Sequence, residues 1–142
     1  MYEYRCKLRR IVDGDTIDVD LDLGFGVILY KQRIRMRGIN TPESRTRDLE
    51  EKAAGLASKA RLKQLLAMKT QFGPISVQTF KDGRGKFGRI LADVYVGQNN
   101  VNDALVYEGR ATAYFGGSKK SDRWWTTKPE SPDGPPAYWV AP

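Results

Sequence analysis

Three strands, a helix, two strands and a short helix, in that order, predict an α+β fold that is mainly β: a five-stranded OB-type Greek-key barrel with a helix between strands 3 and 4 and a short helix after strand 5. Three features carry that expectation. Alternation of period two runs through TIDVDLDL, apolar spacing turns helical after Pro42, and short β-rich runs return as ISVQTF and RILADVYV. At 142 residues, with no internal repeat, the chain has the length of one domain.

The first strand, YEYRCKLRRIV, alternates loosely and ends at Asp13-Gly14-Asp15, a hairpin-type turn. In the second, Ile17, Val19, Leu21 and Leu23 share one face and Asp18, Asp20 and Asp22 the other, the pattern of a half-buried strand. Gly24-Phe25-Gly26 leads into VILYKQRIRMRGI, where Ile34 and Met36 alternate with Arg33, Arg35 and Arg37. Beyond Pro42, Leu49, Ala53, Leu56 and Ala60, widened by Leu62, Leu65 and Leu66, predict a helix over about 48–69 that opens on Asp48 with Glu51 three residues on. ISVQTF and RILADVYV flank the Gly-rich turn DGRGKFG. A short helix in NVNDALVYEG is capped by Asn100 and stopped at Gly109, and ATAY adds a short edge.

Residues 1–115 make up this barrel domain, and 116–142 form a tail with five of the seven prolines and all three tryptophans. Its prolines exclude a long helix, so Trp124, Trp125 and Trp139 are expected to pack on the domain or on a partner.

Composition narrows the chemistry. A formal charge of +7 suits an anionic partner, although solubility alone would also explain it. Cys6 is the lone cysteine, so no internal disulfide is available, and MYEYRCKLRR lacks the apolar run of a signal peptide or membrane span. The expectation is a cytoplasmic protein with no membrane partner. The chain has no histidine. Ser-His-Asp hydrolysis and His-based zinc or nuclease sites are thereby excluded, which leaves carboxylates, Arg, Lys, Tyr and hard oxygen-bound metals.

Four segments could carry that chemistry, and each also has a plain structural reading. DGDT, Asp13 to Thr16, is turn chemistry; yet alternation puts Asp15 on the inward face with Ile17, where a carboxylate needs a cation or hydrogen bonds. Arg35 belongs either to a solvated basic edge or to a fork that grips phosphate oxygens. In NTPE, Pro42 holds Thr41 extended, with Asn40 and Glu43 on either side; this is a rigid loop, or one that gives Glu43 a water to orient or deprotonate. KFGR, Lys86 to Arg89, is a hairpin loop with solvated charges or the source of a second arginine aimed across the barrel.

DGDT at the first turn, Arg-x-x-x-x-Asn-Thr-Pro-Glu at the end of the third strand and Phe-Gly-Arg opening the fifth together resemble the staphylococcal nuclease (thermonuclease) family, over about Leu8 to Tyr114. The resemblance implies a calcium ion held by the side chains at Asp15 and Asn40 and the backbone carbonyl of Thr41, with Asp13 near the ion but not on it. Glu43 would activate or orient the attacking water, and Arg35 and Arg89 would bind the phosphate and stabilise transition-state charge. Lys86, Phe87 and Tyr114, or Phe115 beside it, would meet the nucleotide.

Three positions depart from the family pattern. Asn40 stands where the family has a carboxylate, which keeps an oxygen donor but removes a charge and implies weaker calcium binding. Phe87 replaces a common tyrosine, keeping stacking but not a hydrogen bond. The Pro-rich tail has no counterpart of the family's C-terminal helix. The function expected is a calcium-dependent, sugar-nonspecific nuclease, acting as a monomer on DNA and RNA, preferably single-stranded, and leaving 3′-phosphate ends. The alternative is a catalytically weakened or inactive module that binds nucleic acid or protein.

Overall fold

The computed structural model describes residues 2–80, 88–114, 123–126 and 133–142. The strands β1 (Tyr2–Asp13), β2 (Thr16–Asp22) and β3 (Ile28–Met36) form the expected antiparallel meander, with Ile11 opposite Ile17 and Ile17 opposite Ile34. A register shift between Val19 and Leu21 bends the β2–β3 pair, and Lys31 there takes a left-handed backbone conformation, with φ of 54°. Asp20 holds that bend by accepting from the Lys31 N–H at 2.9 Å. Outside the sheet, Arg33 reaches across to Asp18, Nε to Oδ1 at 2.9 Å. That guanidinium holds the Asp18 carboxyl below its ordinary range.

β5 (Ile75–Thr79) pairs antiparallel with the start of β1, and β6 (Ile90–Val96) pairs antiparallel with β5. A parallel pairing of β3 with β6, Ile34 opposite Ile90 and Met36 opposite Ala92, closes the circle as β1-β2-β3-β6-β5. The result is a closed five-stranded barrel, mainly β and of the OB type. Ile17, Val19, Ile34, Met36, Val77, Val94 and Val96 fill its interior and are almost wholly buried. Two short bridges extend it: β7 (Asn99–Asn100) against the end of β6, and β4 (Ile39–Asn40) against β8 (Thr112–Ala113), the latter being the short edge expected from ATAY.

The helical segment between β4 and β5 differs in two ways from its expected form. It divides at Met68 into α1 (Leu49–Ala67) and α2 (Lys69–Phe72). Its buried face follows the expected stripe only in the second half: Leu62, Leu65 and Leu66 face inward as expected, but Leu49 is 78% and Leu56 47% exposed, and Gly55, Ser58 and Arg61 are buried instead. The physical reason is proximity. A β-carbon on Gly55 would lie 2.7 Å from the Pro42 carbonyl oxygen, so the first half of α1 packs on backbone and has room only for small residues. Asp48 does cap α1, accepting from the N–H groups of Glu50 and Glu51.

α3 (Val101–Tyr107) starts at Asn100, whose side chain accepts from Asp103 N–H, and the chain turns at Gly109 with φ of 75°. Between α1 and the residue after α3 lies a buried ion pair: Arg61 meets Glu108 through two bonds of 2.7 Å, and both side chains are at most 3% exposed. The same Arg61 Nη2 donates to the Gly134 carbonyl at 2.9 Å. Trp139 lies edge-on to Phe72, ring centroids 5.4 Å apart, and the Asn99 amide both donates to and accepts from the Val140 backbone. Residues 133–142 are thus pinned to α1, α2 and β7. Among the described residues no helix is long and apolar enough to cross a membrane.

Candidate active site

Asp15 ends the first hairpin with its carboxylate turned inward, 8% exposed. Three hydroxyl or amide donors answer the cost of burying it. Thr16 Oγ1 donates to Oδ1 at 2.9 Å, and the Thr41 N–H and Oγ1 donate to Oδ2 at 3.1 and 3.0 Å. Asp15 thereby ties the β1–β2 turn to the exit of β4, two segments distant in the chain but adjacent in the barrel.

Arg35 arrives from β3 with its side chain only 14% exposed. Its Nη1 donates to the Met36 carbonyl at 2.8 Å and its Nη2 to the Ile39 carbonyl at 2.9 Å, which fixes the guanidinium plane. The same Nη2 lies 3.4 Å from both Asp15 Oδ2 and Asn40 Oδ1. Two oxygen acceptors, one from the β1–β2 turn and one from β4, therefore converge on one cationic nitrogen. Among the described residues the Nε–H of Arg35 takes no part in these bonds, and it can meet an anion in a charge-assisted hydrogen bond.

Asn40 is placed by the β4–β8 bridge, opposite Thr112. Just beyond, Ser44 Oγ donates to Asp13 Oδ1, which holds Asp13 against the loop. Glu43 is exposed, and its backbone N–H donates to Glu51 Oε2 at 3.1 Å. Glu51 thus anchors the Glu43 loop instead of completing a reciprocal cap on Asp48, whose N–H is met by Thr46 Oγ1. Gly55 supports the same loop from beneath, since a β-carbon there would also fall 2.8 Å from the Glu43 carbonyl.

Arg89 immediately precedes β6, and the parallel pairing sets its neighbour Ile90 against Ile34, next to Arg35. The second arginine is therefore brought to the strand that carries the first. Tyr114 follows β8, its N–H donating to the Gly38 carbonyl at 2.8 Å. Lys86 and Phe87 lie outside the described residues. Arg37, the third arginine of the β3 face, is engaged elsewhere, over the Phe80 ring and 3.9 Å from Asp93.

Asn40, Thr41, Glu43 and Tyr114 line one cleft, and Glu51, Trp124 and Trp125 complete it. Ser44, Glu51, Gly55 and the two tryptophans are not recognisable as site residues in the sequence. Only Gly55 leaves a trace, as a glycine inside a helical pattern.

The donor set tests what ion the cleft suits. All candidate ligand atoms are oxygens, from Asp15, Asn40 and the Thr41 backbone, which fits a hard divalent cation such as calcium and disfavours the softer nitrogen- and sulfur-seeking metals. The formal charge they bring is that of Asp15 alone, and Arg35 already offsets it. These atoms suit such an ion by their chemistry, while among the described residues no three carboxylate or cysteine side chains gather as an ion-holding group.

Sequence comparison identifies relatives of the chain. The profile of the family described as staphylococcal nuclease homologue matches residues 33–126. The chain is 31% identical over 113 residues to a thermonuclease of Staphylococcus hyicus, covering 80% of this chain and 61% of that protein. It is 34% identical over 131 residues to a micrococcal nuclease of Shigella flexneri, covering 84% and 64%. An endonuclease of Bacillus subtilis, YncB, is 31% identical over 112 residues, covering 76% and 47%. The chain thus spans less than two thirds of the length of these relatives.

Proposed function

Because the chain belongs to the staphylococcal nuclease homologue family, we propose that its cleft hydrolyses phosphodiester bonds of DNA and RNA with calcium as the metal, preferably in single strands, leaving 3′-phosphate ends. The observation that carries this reading is the convergence of Asp15 and Asn40 oxygens on one Arg35 nitrogen, beside the cleft that also holds Glu43.

Each residue then has a task. Asp15, Asn40 and the Thr41 carbonyl would hold the cation, which when bound supplies positive charge beside the scissile phosphate. Arg35, locked by its two carbonyl contacts, offers its Nε–H to the phosphoryl oxygens, and Arg89 joins it from the start of β6. Glu43 accepts a proton from the attacking water as the new bond to phosphorus forms and the bond to the 5′ oxygen of the leaving nucleoside breaks. Glu51 and Gly55 fix the backbone of Glu43 for that step. Lys86, Phe87 and Tyr114 contact the nucleotide, and a monomer suffices because one chain supplies every group.

Asn40 favours a second reading, a binding module that has given up catalysis, since one ligand charge is missing. An end-labelled single-stranded oligonucleotide distinguishes the two. Under the nuclease reading calcium at millimolar concentration and alkaline pH yields fragments that a polymerase extends only after phosphatase treatment, and chelation stops the reaction. Strand binding without cleavage in calcium would establish the module instead.

A further inference from the structure

Trp124 and Trp125 lie in a single 3-10 turn, ten residues beyond Tyr114, yet they face Asn40, Thr41 and Glu43 across the cleft. Arg123 holds the turn there. Its Nη1 donates to Asp48 Oδ2 at 2.6 Å and its Nη2 to Glu50 Oε2 at 3.0 Å, both at the start of α1. The guanidinium also lies 5.2 Å from the centre of the Trp125 ring. The two indoles meet edge to face, centroids 6.0 Å apart and planes at 82°. Both remain partly exposed, unlike Trp139, which is buried against Phe72.

The cleft therefore has two chemically different sides. One presents the Glu43 and Glu51 carboxylates and the Asn40 amide, whose oxygen lies 3.4 Å from Arg35 Nη2 and so sets that side next to the proposed phosphate site; the other presents two indoles, suited to a flat apolar ring. A nucleotide has the same division, an anionic phosphate a short distance from a heterocycle. We infer that Trp124 and Trp125 form the base-binding wall of the cleft, stacking a nucleobase adjacent to the scissile phosphate, with Arg123 as the positioning residue that latches the wall to α1. This inference rests on the nucleic-acid reading above and adds to it where the base is bound. Stacking engages the π-face that all bases share, so the wall reads the presence of a base more than its identity.

The test is a fluorescence titration in EDTA, where the strand stays intact, with an octathymidylate and with an abasic strand of equal length and charge. The octathymidylate should quench indole emission and bind about tenfold more tightly than the abasic strand. Trp124→Ala or Trp125→Ala should bring its affinity down to the abasic value, the corresponding Phe variant should recover most of it, and Arg123→Ala should weaken the preference while leaving both rings in place. In cleavage assays the Trp→Ala changes should raise KM and leave kcat nearly unchanged. Equal affinity of the two strands for the wild-type protein, or a preference that survives in both Trp→Ala variants, would overturn the inference while leaving the nuclease reading intact if cleavage persists. Failure of both strands to bind in EDTA would also overturn the inference, and the nuclease reading would fall with it only if calcium brings no cleavage.

Discussion

Asn40 and Gly55 show how single residues set the site. The Asn40 oxygen stands 3.4 Å from the same Arg35 nitrogen as Asp15, so a carboxylate there would add a full negative charge beside the proposed cation position. Asn40→Asp should therefore lower the half-saturating calcium concentration by about tenfold, read from the calcium dependence of cleavage. An unchanged dependence would show that Asn40 is not a ligand. Gly55 poses a conflict between two effects. Alanine is the better helix former by roughly 1 kcal/mol, but its β-carbon would press on the Pro42 and Glu43 backbone at 2.7–2.8 Å. Backbone does not yield as a flexible side chain does, so the clash wins. Gly55→Ala should destabilise by about 1–2 kcal/mol in chemical denaturation. Activity should fall further, on the order of 100-fold in kcat, if Glu43 moves by about 1 Å.

At the scale of elements, the helix between the barrel strands joins stability to site geometry at both of its ends. Arg61 in its second half shares a desolvated ion pair with Glu108, and removing one partner strands a buried charge. Glu108→Ala should cost about 3–5 kcal/mol by denaturant unfolding, because the Arg61 guanidinium would keep only its bonds to the Gln64 side chain and the Gly134 carbonyl. At the other end, the Asp48 carboxyl is lowered to about 2, mainly by its hydrogen bond to Arg123 and then by the Glu51 N–H. A lowered folded value means that the carboxylate contributes stability above the unfolded pKa and loses it as pH falls through the folded one. The contribution should thus fade between about pH 4 and pH 2, and Arg123→Ala should flatten that part of the acid-unfolding curve, since no guanidinium then favours the ionised form. The strand alternation of Ile17, Val19 and Leu21 against Asp18 and Asp22 makes the meander legible in the sequence, because the buried face is written locally; it fails at Leu23, which is 39% exposed beyond the end of β2, and at Asp20, which is buried where it accepts from the Lys31 N–H at the bend. The parallel closure of β3 on β6 is not legible, because no local pattern names a strand's distant partner. In α1 the stripe is legible at Leu62, Leu65 and Leu66 but fails in the first half: Leu49 and Leu56 have the right spacing, yet there the helix packs on loop backbone and buries Gly55 and Ser58 instead.

Taken as a whole, the barrel brings distant stretches together: Asp15 from the first turn and Asn40 from β4 meet Arg35 from β3, Asn40 to Glu43 share a cleft with the indoles of the tail, and strand pairing sets the start of β6, just after Arg89, beside β3. The candidate residues of DGDT and NTPE are legible because each motif keeps its chemistry within a few residues. The tail's approach to the cleft is legible only as an expectation that its tryptophans would be covered, because the bond from Arg123 to Asp48 spans 75 positions. The net charge of +7 adds a long-range attraction for polyanions that salt will screen. The central claim is that Glu43 works with a bound cation and two arginines to cut phosphodiesters. The most direct measurement is the rate of single-strand cleavage by wild-type protein and by Glu43→Gln, each in calcium and in EDTA. The account predicts cleavage by the wild type that EDTA abolishes, and a loss of about 10²–10⁴-fold in kcat for Glu43→Gln with strand binding retained. Cleavage by Glu43→Gln at the wild-type rate, or wild-type protein that binds strands and never cuts them in calcium, would contradict it.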